Sequence, residues 1–307
     1  MKAAMGHERP AVTIGPSALT TSTTRSGPSL ARRIERILLY VLTIGLGIAF
    51  LTPFFWAVMG SLKTPFESTA IPPTWFPESP QWSNYWTVMT VTPFMTFLRN
   101  TVFLTAVNIA GDLLSSAAVA YGFARFRFRG RNLLFLLLLS RMMLPREVTV
   151  IPQYWLFSKI GWIDTFYPLI VPQWFAANSF GVFLLRQFFL TIPRDYEDAA
   201  RVDGAGSIEI FRRIILPLSI PALVALAIFD FIYNWTSFFE PLIYLSSESK
   251  LTLAVGLTWF QTSGLGNMPR QPYLLAYSLL MTLPLIAIFF LAQRYFIRGI
   301  VMSGIKG

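Results

Sequence analysis

The feature that most limits how this chain folds is a series of apolar runs, each near the length a helix needs to cross a hydrocarbon core, about 20 residues. We read six such spans: Ile37–Met59, Leu98–Tyr121, Asn132–Ile151, Phe166–Gln187, Pro217–Tyr244 and Tyr273–Ile297. In the third, Pro145, Arg146 and Glu147 interrupt the apolar pattern after Leu144, so a kink or break is expected there. Composition points the same way. Only 13% of the 307 residues are charged, about half the share usual in soluble domains, so polar surface is too scarce to coat a globule. The expected fold is an all-α integral membrane protein with six transmembrane helices.

Basic residues orient the spans. The formal net charge of +10 would suggest nucleic acid in a soluble protein, but the positives cluster beside the apolar runs, so no nucleic-acid partner is expected. With the N-terminus inside, the inner segments hold 18 of the 25 Lys and Arg residues and the outer segments six, with Arg141 left within a span. That bias predicts cytoplasmic termini and a multi-pass protein of the cell (inner) membrane. Residues 1–36 read as a Ser/Thr/Pro/Gly-rich disordered tail, 37–59 as the first transmembrane helix, 60–97 as an external loop, 98–297 as a five-helix core and 298–307 as a cytoplasmic C-terminus. A cleavable signal peptide competes at the N-terminus, but the run from Ile37 is too long for an h-region. In the external loop, Pro65, Pro72, Pro73, Pro77 and Pro80 preclude one continuous helix. Its Trp75, Trp82, Tyr85 and Trp86 suit an interfacial belt, with a sugar-stacking platform as the alternative.

Reactive chemistry is scarce. There is no cysteine, and the single histidine, His7, lies in the polar tail. Thiolate nucleophiles, cysteine zinc sites, histidine metal centres and histidine-based triads therefore have nothing to be built from. The chain also lacks the G-x-x-x-x-G-K-[ST] sequence that cradles nucleotide phosphates. We expect no metal, no cofactor and no catalytic activity in this chain.

The loop between the fourth and fifth spans, residues 192–216, is unusually structured. Pro193 suits a helix start, Asp195, Glu197 and Asp198 fall where the helix dipole favours anions, and Gly204 suits a left-handed stop. A short helix from about Pro193 to Asp203 is expected, with Ser207 capping a second helix that carries Arg212 and Arg213. On the first helix Ala199 and Ala200 leave the backbone approachable, flanked by Tyr196, Glu197, Asp198, Arg201 and Asp203. The shape is that of a plug for another protein's groove.

Asp198-Ala199-Ala200, three residues, Gly204, nine residues and Ile214-x-Leu216-Pro217 resemble the EAA loop, EAA-x3-G-x9-I-x-LP, of binding-protein-dependent ABC importer permeases. The family's glutamate aligns with Asp198, while Glu197 precedes it and could share its role. Met142-Met143-Leu144-Pro145, Val150-Ile151-Pro152, Tyr233-Asn234-Trp235 with Pro241-Leu242, and Thr252-Leu253-Ala254-Val255-Gly256-Leu257 are similar to the MalG-like, carbohydrate-uptake branch in the same order. The resemblance implies a type I permease fold with a cytoplasmic coupling helix. It also implies a homologous second permease, two ATPase subunits that bind ATP and Mg, an extracytoplasmic substrate-binding protein, and a carbohydrate cargo such as an oligosaccharide. Glycerol phosphodiesters and polyol phosphates are alternative cargoes. The rival reading is a secondary transporter or channel working without an ATPase.

Ionisable residues within spans usually face water or a bundle interior. Asp112, Arg141 and Asp230 fall near mid-depth and Glu240 toward the outer end of the fifth span, with Asn108, Asn178, Asn234 and Trp235 as polar neighbours. Asp230, Glu240, Asn108, Asn178, Asn234 and Trp235 are candidates for a translocation path. Asp112 and Arg141, on sequential spans joined by a short loop, are expected to form an intramembrane ion pair.

Overall fold

The computed structural model describes residues 30–262 and 270–303, and among these the chain is helix and turn without strand. The chain divides into two compact units, residues 1–53 and 54–307. The described part of the first unit belongs to α1 (Leu30–Ser61). Every described side chain from Ile34 to Leu51 is exposed, including Leu38, Leu42 and Phe50, an apolar surface suited to hydrocarbon rather than water. Residues 30–36, expected in the tail, already belong to this helix, and residues 1–29 lie outside the described residues.

The second unit opens with the end of α1 and an irregular segment. There Trp56 meets Trp75 edge-on at 5.0 Å and Lys63 lies 5.0 Å over the Trp56 ring. The buried Asn84 amide, on α2 (Ser83–Val91), donates to the carbonyls of Ser61 and Lys63 at 2.8 and 2.9 Å. As the prolines require, no continuous helix crosses this segment.

The centre of the unit is α3 (Phe94–Arg125). Its buried positions, among them Thr101, Leu104, Thr105, Asn108, Gly111, Asp112, Ser116, Ala120 and Ala124, recur every three or four residues and so form one face. Many are small, which lets α7 (Ser179–Thr191), α11 (Ile220–Thr236) and the turn Val171–Phe175 approach closely. Gly111 marks the limit: a Cβ there would lie 2.5 Å from the Trp174 ring.

Among the described residues, four helical stretches are long and apolar enough to cross a membrane: Ile34–Ser61, Phe94–Arg125, Tyr167–Thr191 and Gln271–Gln293. A fifth is added if Ser207–Leu218 and Ile220–Thr236, bent by 76°, count as one span. The expected third span is not one continuous helix. α4 (Arg131–Ser140) gives way to a single tight turn, Arg141–Met143, and extended Leu144 before α5 (Arg146–Lys159) begins. Pro145 accounts for the break, because proline lacks the N–H and excludes helical backbone from the residue before it.

The fourth span joins α6 (Tyr167–Ile170), the turn Val171–Phe175 and α7, with Ala176 at φ 52° between them. The expected fifth span is also divided. After α8 (Asp195–Val202) come α9 (Ser207–Ile210), a wide turn over Phe211–Ile215 and α10 (Leu216–Leu218). The chain bends at Ser219, not at Pro217, to start α11, and residues 239–244 form a separate α12 (Phe239–Tyr244). α13 (Leu253–Thr262) and α14 (Gln271–Ser303) complete the described chain.

At one end of the core, Asp164 ties two loops together. It accepts from the backbone N–H groups of Ser246 and Ser247, the Ser247 hydroxyl and Lys250, and these donors hold its carboxyl well below the usual carboxylate range.

Candidate functional site

Two regions carry the polar features. The first is the loop containing α8. Its C-terminus closes as expected from Gly204, which takes φ +84°. The Ala205 N–H donates to the Ala200 carbonyl at 2.9 Å and the Gly204 N–H to Arg201 at 3.0 Å, the paired bonds of a left-handed helix stop. Ser207 does not cap: α9 begins at Ser207, with Gly206 at the cap position and no side-chain bond. Instead the Ser207 carbonyl accepts from the Tyr121 hydroxyl at 3.3 Å.

Glu197 anchors this helix. Its Oε1 lies 2.5 Å from Arg125 Nε at the end of α3, and both side chains are 4% exposed. Arg125 also donates to the Ile192 carbonyl at 2.9 Å, so a single guanidinium holds the loop entry and the helix. Asp198 points the other way, with its side chain 66% exposed near Arg201. Tyr196, Ala199, Arg201, Asp203 and Gly204 are likewise exposed, and Ala200 is half-buried. The sequence left open which acid faces outward; Glu197 is spent inside the chain and Asp198 is presented.

The second region is a cavity of about 520 Å³ walled by α3, the α4–α5 break, α7, α11 and α12. Asn178 caps α7 by accepting from the Gly181 N–H at 3.1 Å. Its amide nitrogen bridges two carboxylates, at 2.8 Å to Asp112 Oδ2 and 3.1 Å to Asp230 Oδ1. Ser116 donates to Asp112 Oδ1 at 2.8 Å, and Tyr233 to Glu240 Oε2 at 2.9 Å.

Asp112, Arg141, Asn178, Asp230, Asn234 and Glu240 all reach this cavity. Two candidates do not line it. Asn108 sits behind the wall and donates to Asn234 Oδ1 at 2.7 Å. Trp235 is 3% exposed, stacks on Phe231 and donates to the Met281 carbonyl of α14 at 2.9 Å, so it is a packing residue. The expected Asp112–Arg141 ion pair is also corrected. No salt bridge joins them among the described residues: Asp112 is held by Ser116 and Asn178, while Arg141 is exposed in the tight turn before Pro145. Gln153, Gln173 and Tyr244 also line the cavity. Sequence reasoning missed them because α5 and the α6–α7 turn look like ordinary span ends.

Over residues 114–302 the chain matches the family described as binding-protein-dependent transport system inner membrane component. It is 34% identical to the arabinooligosaccharides transport system permease protein AraQ of Halalkalibacterium halodurans, over 91% of this chain and all of that one. It is 35% identical to the sn-glycerol-3-phosphate transport system permease protein UgpE of Yersinia pestis, over 69% of this chain and 74% of that one. In fold it matches a bacterial ABC transporter involved in import of the acidic polysaccharide alginate, with a TM-score of 0.77 at 24% identity, covering 87% of this chain and 98% of that chain. The chain belongs to the binding-protein-dependent transport permeases, and it is a multi-pass membrane component of an ABC importer rather than an enzyme.

Proposed function

We propose that this chain is a translocation subunit of an ATP-driven carbohydrate importer, coupled to an ATPase through α8. The observation that carries this reading is the contrast on that helix. Glu197 fixes it to α3, while Tyr196, Asp198, Ala199 and Arg201 are exposed and, among the described residues, their side-chain ion pairs are limited to two long contacts of Arg201 with Glu197 and Asp198. A force applied to the exposed face is thereby delivered to α3, which also carries Asp112 into the cavity. The oligosaccharide named for a relative supports a sugar cargo. In this reading ATP and Mg bind the ATPase subunits, a second permease completes the path, and an extracytoplasmic binding protein delivers the cargo. Both termini lie in the cytoplasm.

The test uses the cysteine-free background. A cysteine placed at Ser207 should be shielded from an impermeant maleimide in sealed cells, whereas one at Ser247 should react. Affinity capture of the chain should bring down an ATPase, and sugar uptake should stop when that ATPase is inactivated. Uptake that continues without the ATPase would instead support a secondary transporter.

A further inference from the structure

Among the described residues, Arg186 is a cation with no acid beside it. It sits on α7, its guanidinium lies 4.2 Å over the Phe135 ring of α4, and its buried Nε meets no hydrogen-bond acceptor. The charged group that acts on it is Arg131, a second guanidinium. Arg131 precedes Phe135 by four residues, so the two share one face of α4, the face that packs on α7. Arg131 gives one N–H to the Phe126 carbonyl at 3.3 Å, and Arg127 and Arg129 are exposed just before it. None of these four arginines has a carboxylate within salt-bridge distance among the described residues, in contrast to Arg125 with its Glu197. Like charges held together repel, and a buried N–H without an acceptor is costly, so the α4–α7 junction is built to take an anion.

We propose that Arg131 and Arg186 form a binding site for the phosphate of an anionic phospholipid, with the rest of the lipid lying along α4. The Phe135 ring covers the flat face of the Arg186 guanidinium and leaves its N–H edge for hydrogen bonds, the edge by which arginine grips a phosphate with two parallel bonds. Lipid rather than free phosphate is the occupant because the charge adjoins an apolar surface. α4 buries none of its residues, and Leu133, Leu134, Leu136 and Leu137, directly beyond Arg131, are each at least half exposed. Acyl chains use such a surface and a free anion does not, and basic groups at its headgroup end attract anionic lipid. The level is fixed by α3, whose terminal Arg125 bonds to Ile192 and Glu197 just past the end of α7, so the site lies at the same end as α8. The inference goes beyond the importer reading and takes from it only that this end faces the cytoplasm. Its consequence reaches the cavity: α4 runs into the break at Arg141–Met143 and α7 starts beside Asn178, so a lipid clamping the two helices braces two parts of the cavity wall.

Native mass spectrometry of the assembled complex, equilibrated in micelles holding equal phosphatidylglycerol and phosphatidylcholine, tests the site. The native sequence should retain phosphatidylglycerol over phosphatidylcholine by about tenfold, the scale of one charge-assisted hydrogen bond. Arg131→Gln combined with Arg186→Gln should remove most of that preference. Arg186→Lys keeps the charge and loses the planar fork, so it should fall between, and it carries the test if the double variant fails to assemble. Removing the same charge elsewhere at this end, with Arg212→Gln and Arg213→Gln, should leave the preference intact, and millimolar inorganic phosphate should not displace the lipid. A preference absent from the native sequence, unchanged in both the double and the Arg186→Lys variants, or lowered equally by the change at Arg212 and Arg213 would overturn the site. Displacement by inorganic phosphate would overturn the lipid as occupant. Release of the ATPase by the double variant, with the lipid preference kept, would overturn the site in favour of a protein contact. The importer reading fails on a different result, the absence of any ATPase from the complex of native sequence.

Discussion

Glu197 and Asp230 are equally deep acids in opposite company. Glu197, 3% exposed, has a guanidinium 2.5 Å away, and that guanidinium is itself buried and tied to a backbone carbonyl. Asp230, 5% exposed, has one shared amide and a second carboxylate. Buried charge is tolerated when it is paired and hydrogen-bonded: Glu197 is matched by a cation, whereas Asp230 and Asp112 share the Asn178 amide between two acids. The difference separates an ion-paired joint at the α8 loop from a wall of acids and amides around the cavity.

Breaking the joint should have the largest effect. Arg125→Ala leaves Glu197 buried without its cation, a loss of about 3–5 kcal/mol in comparable pairs, and the yield of assembled complex on size exclusion should fall sharply. Replacing both partners with apolar residues, Arg125→Met with Glu197→Leu, should recover much of that yield, because no lone charge remains. Recovered assembly with poor sugar-stimulated ATPase activity would confirm that the pair transmits motion as well as holding the fold.

Gly204 comes next. A Cβ there meets nothing within 4 Å, so its constraint is φ +84° alone. Left-handed backbone costs an ordinary residue about 1–2 kcal/mol, and asparagine tolerates it better than valine. Gly204→Val should therefore leave the protein in the membrane while uncoupling transport from ATP hydrolysis, and Gly204→Asn should be milder in both assays. Equal behaviour of the two variants would show that something other than backbone geometry is at work.

A smaller effect on the fold is expected at Asp198. Its side chain is largely exposed, so Asp198→Ala should shift the thermal stability of the isolated permease by no more than about 0.5 kcal/mol. Retention of the ATPase on the same variant should still drop, since the lost carboxylate belongs to the presented face. Glu197→Ala should do the reverse, damaging the permease first.

The two regions also differ in how far the sequence disclosed them. The α8 loop was legible because its determinants are contiguous: three acids at a helix start, a glycine at its stop and a fixed spacing to Leu216-Pro217 all lie within one short stretch. Its anchor was not, because Arg125 reaches Glu197 across 72 positions and no local pattern reports that contact. Asp112, Asn178, Asp230, Asn234 and Glu240, singled out as polar residues within apolar spans, all line the cavity. Polarity gives no direction, however. Trp235 shares that signal and turns toward α14, where its N–H donates to the Met281 carbonyl. The broken third span was visible at Pro145, but not that the break would swing Arg141 clear of Asp112 and place Gln153 on the wall.

That last displacement makes the sharpest test of the wall, and its predicted size is near zero. An ion pair between Asp112 and Arg141 would give a large coupling in a double-mutant cycle scored on complex assembly, with each single neutralisation costly and the double partly rescued. The geometry predicts otherwise. Asp112 draws its support from the Ser116 hydroxyl and the Asn178 amide, both at 2.8 Å, and these remain when Arg141 becomes Gln. Arg141 is exposed and has no carboxylate within salt-bridge distance among the described residues, so it loses no partner when Asp112 becomes Asn. The two losses in assembly should therefore add to within about 0.5 kcal/mol, the behaviour of sites that share no direct interaction. Ser116→Ala supplies the positive control: paired with Asp112→Asn it should depart from additivity, because the two side chains are bonded one helical turn apart. Strong Asp112–Arg141 coupling would instead mean that the tight turn before Pro145 closes onto α3 in the assembled importer and draws Arg141 onto Asp112.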